Sequence, residues 1–406
     1  MIPRRRVAID AGAFARAWLE AKDDPLAAIE RFEQAFARWT GRRFALTSCS
    51  GRTTLLAALR AVGVEEGTEV ILPAYTLADL PSMLRRAGMI PVFVDVDADS
   101  YLLDASSVER AITPRTRAII PTDIFGFTAH WDDLLGELSR SRGIPLIEDA
   151  AHAAGSKLLG RPVGWGCRVA FFSLETIKVM HSFGGGVVVM DDEALAQSIR
   201  ARLPETPPRR SYVPKKFARN LVENLMFRTP AYQVALMARG NPQIEALLLS
   251  IYNRVKYSGV LSEYAYSGWQ AAFARQQLEG LDERIRHRRA LAHQMMDALS
   301  DLLVFPKEPV GVACNYYFLV GRTDLDPRFI QRRLVRAGID TGALGEITDF
   351  CPSDTEREKY PNAYRAYRSL LQLPFYEGMT ERESELVISA VRQAFAQSSS
   401  KSSPQW

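Results

Sequence analysis

Between Arg43 and about Arg200, short apolar runs rich in β-branched residues alternate with longer stretches whose apolar positions recur three and four residues apart. Residues 70–72, 91–94, 118–120, 145–147 and 187–189 form the apolar runs. They lack the in-and-out alternation of a half-solvated sheet, so they predict strands covered on both faces. Residues 53–59, 77–87, 105–111 and 131–142 carry the helical spacing. Strands alternating with helices in this order predict parallel strands joined by right-handed crossovers, hence a large α/β domain. The spacing then predicts one long helix from Gly268 to Leu299, followed by mixed strand and helix patterns at 317–320, 328–337 and 384–395. The organisation expected is a large α/β domain over 1–265, a linking helix with a smaller C-terminal α+β domain over 266–396, and a Ser-rich disordered tail over 397–406.

Charge changes this picture at one place. The chain carries 51 Lys plus Arg against 47 Asp plus Glu, a net +4 over 406 residues. That balance is too mild to imply a nucleic-acid binder. Within 208–260, however, Arg209, Arg210, Lys215, Lys216, Arg219, Arg228, Arg239, Arg254 and Lys256 face only Glu223 and Glu245. Apolar blocks separated by Pro230 and Pro242 interrupt the charges, so the segment reads as a basic insertion of short amphipathic helices. It is expected to be a solvated surface insertion or lid, with peripheral contact to an anionic membrane as the alternative. The N-terminus is basic but has no apolar stretch behind it, and no run approaches the roughly 20 apolar residues of a membrane span. Cys49, Cys167, Cys314 and Cys351 are widely spaced, so neither a disulfide framework nor a metal site is indicated and a reducing cytoplasm is expected. His130, His287 and His293 show no metal-ligand spacing.

Three local features carry chemistry. Ser48-Cys49-Ser50-Gly51-Arg52-Thr53-Thr54 follows an apolar run and opens a helix. Backbone amides exposed in such a turn, at the positive end of a helix, suit either a cap or a bound phosphate. Pro145-Leu146-Ile147-Glu148-Asp149-Ala150-Ala151-His152 is a buried strand ending in carboxylates. That end is where open α/β sheets bind ligands; Asp149 is placed to hold a positive ring nitrogen, and Glu148 reads as a cap for the next helix. Lys178 lies on a loop between apolar runs, ahead of Gly184-Gly185-Gly186. Desolvation there would make its amine nucleophilic, as imine chemistry requires.

Together these features resemble the fold type I enzymes that use pyridoxal 5'-phosphate, and more narrowly the DegT/DnrJ/StrS family of sugar aminotransferases. Further blocks in the same order carry the resemblance, among them Leu72-Pro73-Ala74-Tyr75-Thr76, Ala337-Gly338-Ile339-Asp340-Thr341 and Leu373-Pro374-Phe375-Tyr376-Glu377-Gly378. The resemblance implies a mostly parallel seven-stranded sheet sandwiched by helices. It also implies Lys178 as the covalent anchor and proton carrier, Asp149 on the pyridine nitrogen and His152 on the phenolic oxygen. Ser173 and the Gly51 and Arg52 amides would hold the phosphate, with the Arg52 side chain adding charge. A keto sugar, nucleotide-linked, would be aminated from glutamate or glutamine for a polysaccharide or secondary metabolite, by a homodimer whose site is completed across the subunit interface.

Four positions depart from the family pattern. Leu77 stands where the family carries a ring-stacking aromatic, and Tyr75 is the nearest replacement. Glu263 occupies the place of an Asn offered to the neighbouring subunit's phosphate, Ala265 that of an Arg, and the Pro before the lysine is missing. A non-catalytic relative, or another reaction at the same cofactor such as elimination or acyl transfer, therefore stands beside aminotransfer as an alternative. His181 is expected to be a loop residue.

Overall fold

The structure is a computed structural model that describes residues 1–7, 10–208, 212–226, 229, 232, 264–348 and 358–397. Its centre is a sheet built from β1 (Phe44–Ser48), β2 (Glu69–Pro73), β3 (Ile90–Val94), β4 (Thr116–Ile119) and β5 (Ile147–Asp149), then β8 (Val169–Ser173) and β9 (Gly186–Met190). The short strands β6 (Lys157–Leu158) and β7 (Arg161–Pro162) form a side ribbon with β10 (Val312–Ala313), in the order β10-β6-β7. One half of the central sheet has the order β3-β2-β4 and the other β5-β8-β9-β1. Parallel bridges Ile119 to Leu146 and Thr122 to Asp149 join the halves, giving the seven strands expected. Only β9 runs against its neighbours β1 and β8. Strands β2 and β9 are buried at every position, as layers covered on both faces must be.

The helices α1 (Ala11–Ala21), α2 (Pro25–Thr40), α3 (Gly51–Ala61), α4 (Asp79–Arg86), α5 (Ala105–Ala111), α6 (Trp131–Arg142), α7 (Glu193–Arg200) and α8 (Tyr212–Met226) follow in chain order. Asp24, Ser50, Asp104 and Asp192 accept backbone N–H groups at the starts of α2, α3, α5 and α7, which fixes where these helices begin. The long helix expected from Gly268 to Leu299 is instead two, α9 (Gly268–Glu279) and α10 (Leu281–Leu299). Gly280, at φ −104° and ψ 9°, ends one and opens the other. Apolar periodicity continues through the break and hides it, whereas glycine's low helix propensity allows it. Gly268 packs so closely on α2 that a Cβ there would lie 2.5 Å from Pro25 Cα.

In the C-terminal part, β11 (Leu319–Arg322), β13 (Leu370–Leu373) and β12 (Gly342–Ala343) form an antiparallel sheet. The chain's first residues join it: Ile2 pairs in parallel with Ile339, and Arg4 O accepts from Phe375 N. Residues 2–6 thus run beside the C-terminal sheet. Of the basic insertion, α8 is described; Glu263 and residues 398–406 lie outside the described residues.

Candidate active site

The turn opening α3 is built by Ser50, whose Oγ accepts the Thr53 N–H at 3.2 Å while its carbonyl takes that of Thr54. Helix geometry leaves the Gly51 and Arg52 amides outside the intrahelical ladder. A Cβ on Gly51 would reach within 3.5 Å of Ser173 Cβ, and one on Gly186 would lie 2.5 Å from Gly51 Cα. The turn, the end of β8 and the start of β9 therefore meet backbone to backbone, a small-residue cradle at a helix N-terminus with Ser173 on its wall. Arg52 stands at the rim, 3.9 Å from Asp79.

Asp149 ends β5, its Oδ1 accepting the Ala151 N–H at 3.0 Å. Burial raises its pKa to about 6, against the opposing pull of that amide and of the Lys178 charge. His152 follows in a turn, and its Nδ1 accepts the Phe125 N–H at 3.3 Å, which leaves the proton of the neutral ring on Nε2. Burial, then the Lys178 charge, holds its pKa well below the ordinary value. Phe125 takes a left-handed conformation, φ 59°, which aims this amide at the imidazole.

Lys178 lies in the loop from β8 to β9. Gln270 of α9 staples the loop's far limb, donating from Nε2 to Ser182 O at 3.1 Å and Gly184 O at 3.0 Å. Gly185 has φ 124°, and a Cβ there would strike the Tyr266 ring at 2.5 Å, so glycine is required on both counts. The half-buried Lys178 projects its Nζ over the Tyr317 ring, 4.6 Å from the centroid.

Lys178, Asp149 and His152 are thus brought into electrostatic contact, with Ser173, Gly51 and Arg52 gathered at the neighbouring cradle. Two expectations need correction. Glu148 caps no helix, since turns follow β5. It is buried beside Asp123, and burial pushes it up to about 7, so the pair keeps a proton at neutral pH. Tyr75 is no exposed ring surface: only 1% exposed, it packs between Tyr101 and Phe125. Leu77 is half-buried ahead of α4.

Sequence reasoning missed the aromatic and cationic walls. A narrow cleft is lined by Lys178 and His181 together with Arg5, Tyr317, Phe318 and Tyr376. His181 is a loop residue, as expected, but buried, with its ring against Phe183 and Phe273. The cleft shares Val179, Arg288, Tyr376 and Glu377 with a wider, more open groove along α10. No local spacing around Tyr317 or Arg5 signals either placement, because both reach the lysine only through tertiary contact.

A lysine over a crevice, an acid at a strand end and an amide cradle for a dianion form a donor set that fits pyridoxal 5'-phosphate. Fold and site together define a fold type I aminotransferase with that cofactor. Residues 27–392 match the DegT/DnrJ/EryC1/StrS aminotransferase family, and the chain belongs to it. It is similar to DesV of S. venezuelae at 28% identity, over 94% of both chains, with a TM-score of 0.73. TlmJ, an aminotransferase from Streptoalloteichus hindustanus, is 24% identical over 98% of this chain and all of its own, TM-score 0.74. A putative sugar aminotransferase of Streptococcus pneumoniae, solved in a PMP form, shares the fold at 18% identity over 98% and 100% of the two chains, TM-score 0.75.

Proposed function

We propose that the chain transfers an amino group from glutamate or glutamine to a nucleotide-linked keto sugar. The observation that carries this reading is the cationic mouth of the lysine cleft, which Arg4, Arg5 and Arg6 line. Arg4 is engaged by Glu346 at 2.7 Å and Arg6 by Glu383 at 3.2 Å. Arg5 meets Glu223 across 3.5 Å, with the two side chains 48% and 37% exposed. So open a pair contributes at most about 1 kcal/mol, and a phosphate can replace the carboxylate through stronger charge-assisted bonds. A cleft with an exchangeable arginine, continuing into a long groove, suits an acceptor larger and more anionic than a simple keto acid.

Pyridoxal phosphate, when bound, supplies an electron-accepting ring that stabilises negative charge at an adjacent carbon. The chain's own residues do the rest. Asp149 would hold a proton on the ring nitrogen, and the Nε2–H of neutral His152 would donate to the phenolic oxygen. Ser173 Oγ and the Gly51 and Arg52 amides would hold the phosphate. Lys178 Nζ would anchor the cofactor's aldehyde carbon and, once the donor is bound, would serve as the proton carrier of the transfer.

The assembly is part of the same proposal, a homodimer. Leu221, Val222, Leu225 and Met226 leave an exposed apolar face on α8, which supports a second copy there; light scattering would report it. Salt-sensitive vesicle sedimentation would instead support peripheral membrane contact through the basic insertion. A reducing cytoplasm is supported by the buried thiols Cys49, Cys167 and Cys314, none of them in a disulfide. No helix among the described residues is long and apolar enough to cross a membrane. The deciding experiment incubates the loaded protein with glutamate and a panel of nucleotide-linked keto sugars, followed by mass spectrometry. An aminated sugar product is expected, with Arg5→Gln raising its KM severalfold while the half-reaction with glutamate is unchanged. Absence of any aminated product with every donor and acceptor refutes the reading.

A further inference from the structure

We propose that Tyr317 is a positioning residue of this site, its ring holding the Lys178 ammonium and the His152 imidazole in one fixed relation. The inference rests on the roles given above to Lys178 and His152. It starts from two contacts of a single ring. The His152 ring stacks on Tyr317 with centroids 4.2 Å apart and planes at 30°, and Lys178 Nζ lies 4.6 Å from the same centroid.

The tyrosine itself is held on every side. Its N–H donates to Phe125 O at 2.9 Å and to Asn315 Oδ1 at 2.8 Å, and its carbonyl accepts from Arg288 at 3.0 Å. Phe318 stacks beside it at 4.3 Å. Asn315 also donates to the carbonyls of His152 and Ala154, at 2.8 and 2.9 Å. The backbones of Tyr317 and His152 are therefore tied through one amide, and their rings through one stack. Only 3% of the tyrosine is exposed, so water competes little for the lysine at this face.

An aromatic face attracts an ammonium through its quadrupole and has little attraction for a neutral amine. Tyr317 therefore holds Lys178 in place while the lysine is charged and releases it when the proton is given up. A carboxylate in the same position would bind the ammonium too tightly for that, and a leucine would not bind it at all.

The test replaces Tyr317 with phenylalanine and then with successively fluorinated phenylalanines, which keep the ring's shape while depleting its negative face. The readout needs no turnover: the apparent pKa of Lys178, from the pH dependence of its reaction with added pyridoxal phosphate, followed by absorbance. Phenylalanine is expected to match the wild type. The fluorinated series should lower the pKa stepwise, by about one pH unit overall, the factor of about ten in proton affinity that a partly desolvated cation–π contact represents. Tyr317→Leu should reach the same limit; if it fails to fold, the fluorinated series decides alone. A flat series overturns the proposal, and so does a phenylalanine variant as perturbed as the leucine one, since the hydroxyl would then carry the effect. Because no sugar acceptor is used, a protein that aminates no sugar still gives this answer, and a flat series beside full turnover removes only the role of Tyr317.

Discussion

Asp149 gives the sharpest conflict between stability and chemistry in this protein. Its carboxyl is fully buried and its pKa rises from 3.8 to about 6, so the cofactor-free fold binds a proton more tightly than the unfolded chain does. A raised folded-state pKa contributes stability that is fully present below the unfolded value and is lost as pH rises through the folded one. At 1.36 kcal/mol per pH unit, the loss by pH 8 is about 3 kcal/mol. Asp149→Asn removes the ionisation and keeps an oxygen for the Ala151 amide, but it buries two N–H donors at a cost of about 1–2 kcal/mol. A net gain of about 1–2 kcal/mol at pH 8 is expected, visible in a chain of this length as a Tm about 1–2 degrees higher in the cofactor-free protein. No net gain is expected at pH 5, between the two pKa values, where only about half of that loss has accrued and the cost of the buried amide offsets it. Thermal unfolding followed by circular dichroism at both pH values is the assay. Equal effects at pH 5 and pH 8, or a lower Tm at pH 8, would refute the reasoning. The same variant should bind pyridoxal phosphate more weakly, because the ring nitrogen loses its anionic partner.

Three further outcomes test the site as assigned. Lys178→Ala should abolish the visible absorption band that wild-type protein develops with pyridoxal phosphate, while the phosphate group alone still competes for the α3 turn in a binding titration. Gly186→Ala drives a Cβ to 2.5 Å from Gly51 Cα, so α3 must shift. We expect about 1–3 kcal/mol of destabilisation, as overpacking typically costs, together with weakened cofactor binding by fluorescence titration. Ser50→Ala removes the cap hydrogen bond to Thr53; about 1 kcal/mol of stability should go with it in denaturant unfolding, and a full wild-type midpoint would show that the cap contributes nothing.

Lys178, Asp149 and the turn at Ser50 were legible because each is announced by its own neighbours. Asp149 ends an apolar run, Ser50 opens a helical one, and Lys178 falls in a gap between two strands. Period and punctuation are local properties, and so is where a parallel strand ends. Leu77 also stood out as a missing aromatic, but its offered replacement, Tyr75, failed for a reason no local pattern contains: Tyr101 and Phe125 close over it. Glu148 and Asp149 sit side by side in the chain, and alternation across the strand sends them to opposite fates. One joins a proton-sharing pair with Asp123 and the other faces the lysine.

The order of apolar runs by itself determined an α/β architecture with a lysine and an acid at the rim of its sheet, because strand and helix periods are written into consecutive residues. Tertiary structure alone decided what surrounds that lysine. Tyr317 arrives from beside the C-terminal sheet, and Arg5 from a segment pinned by the pairing of Ile2 with Ile339. Contacts between residues so distant along the chain are set by how layers pack, which leaves no signature in the spacing of either partner's neighbours.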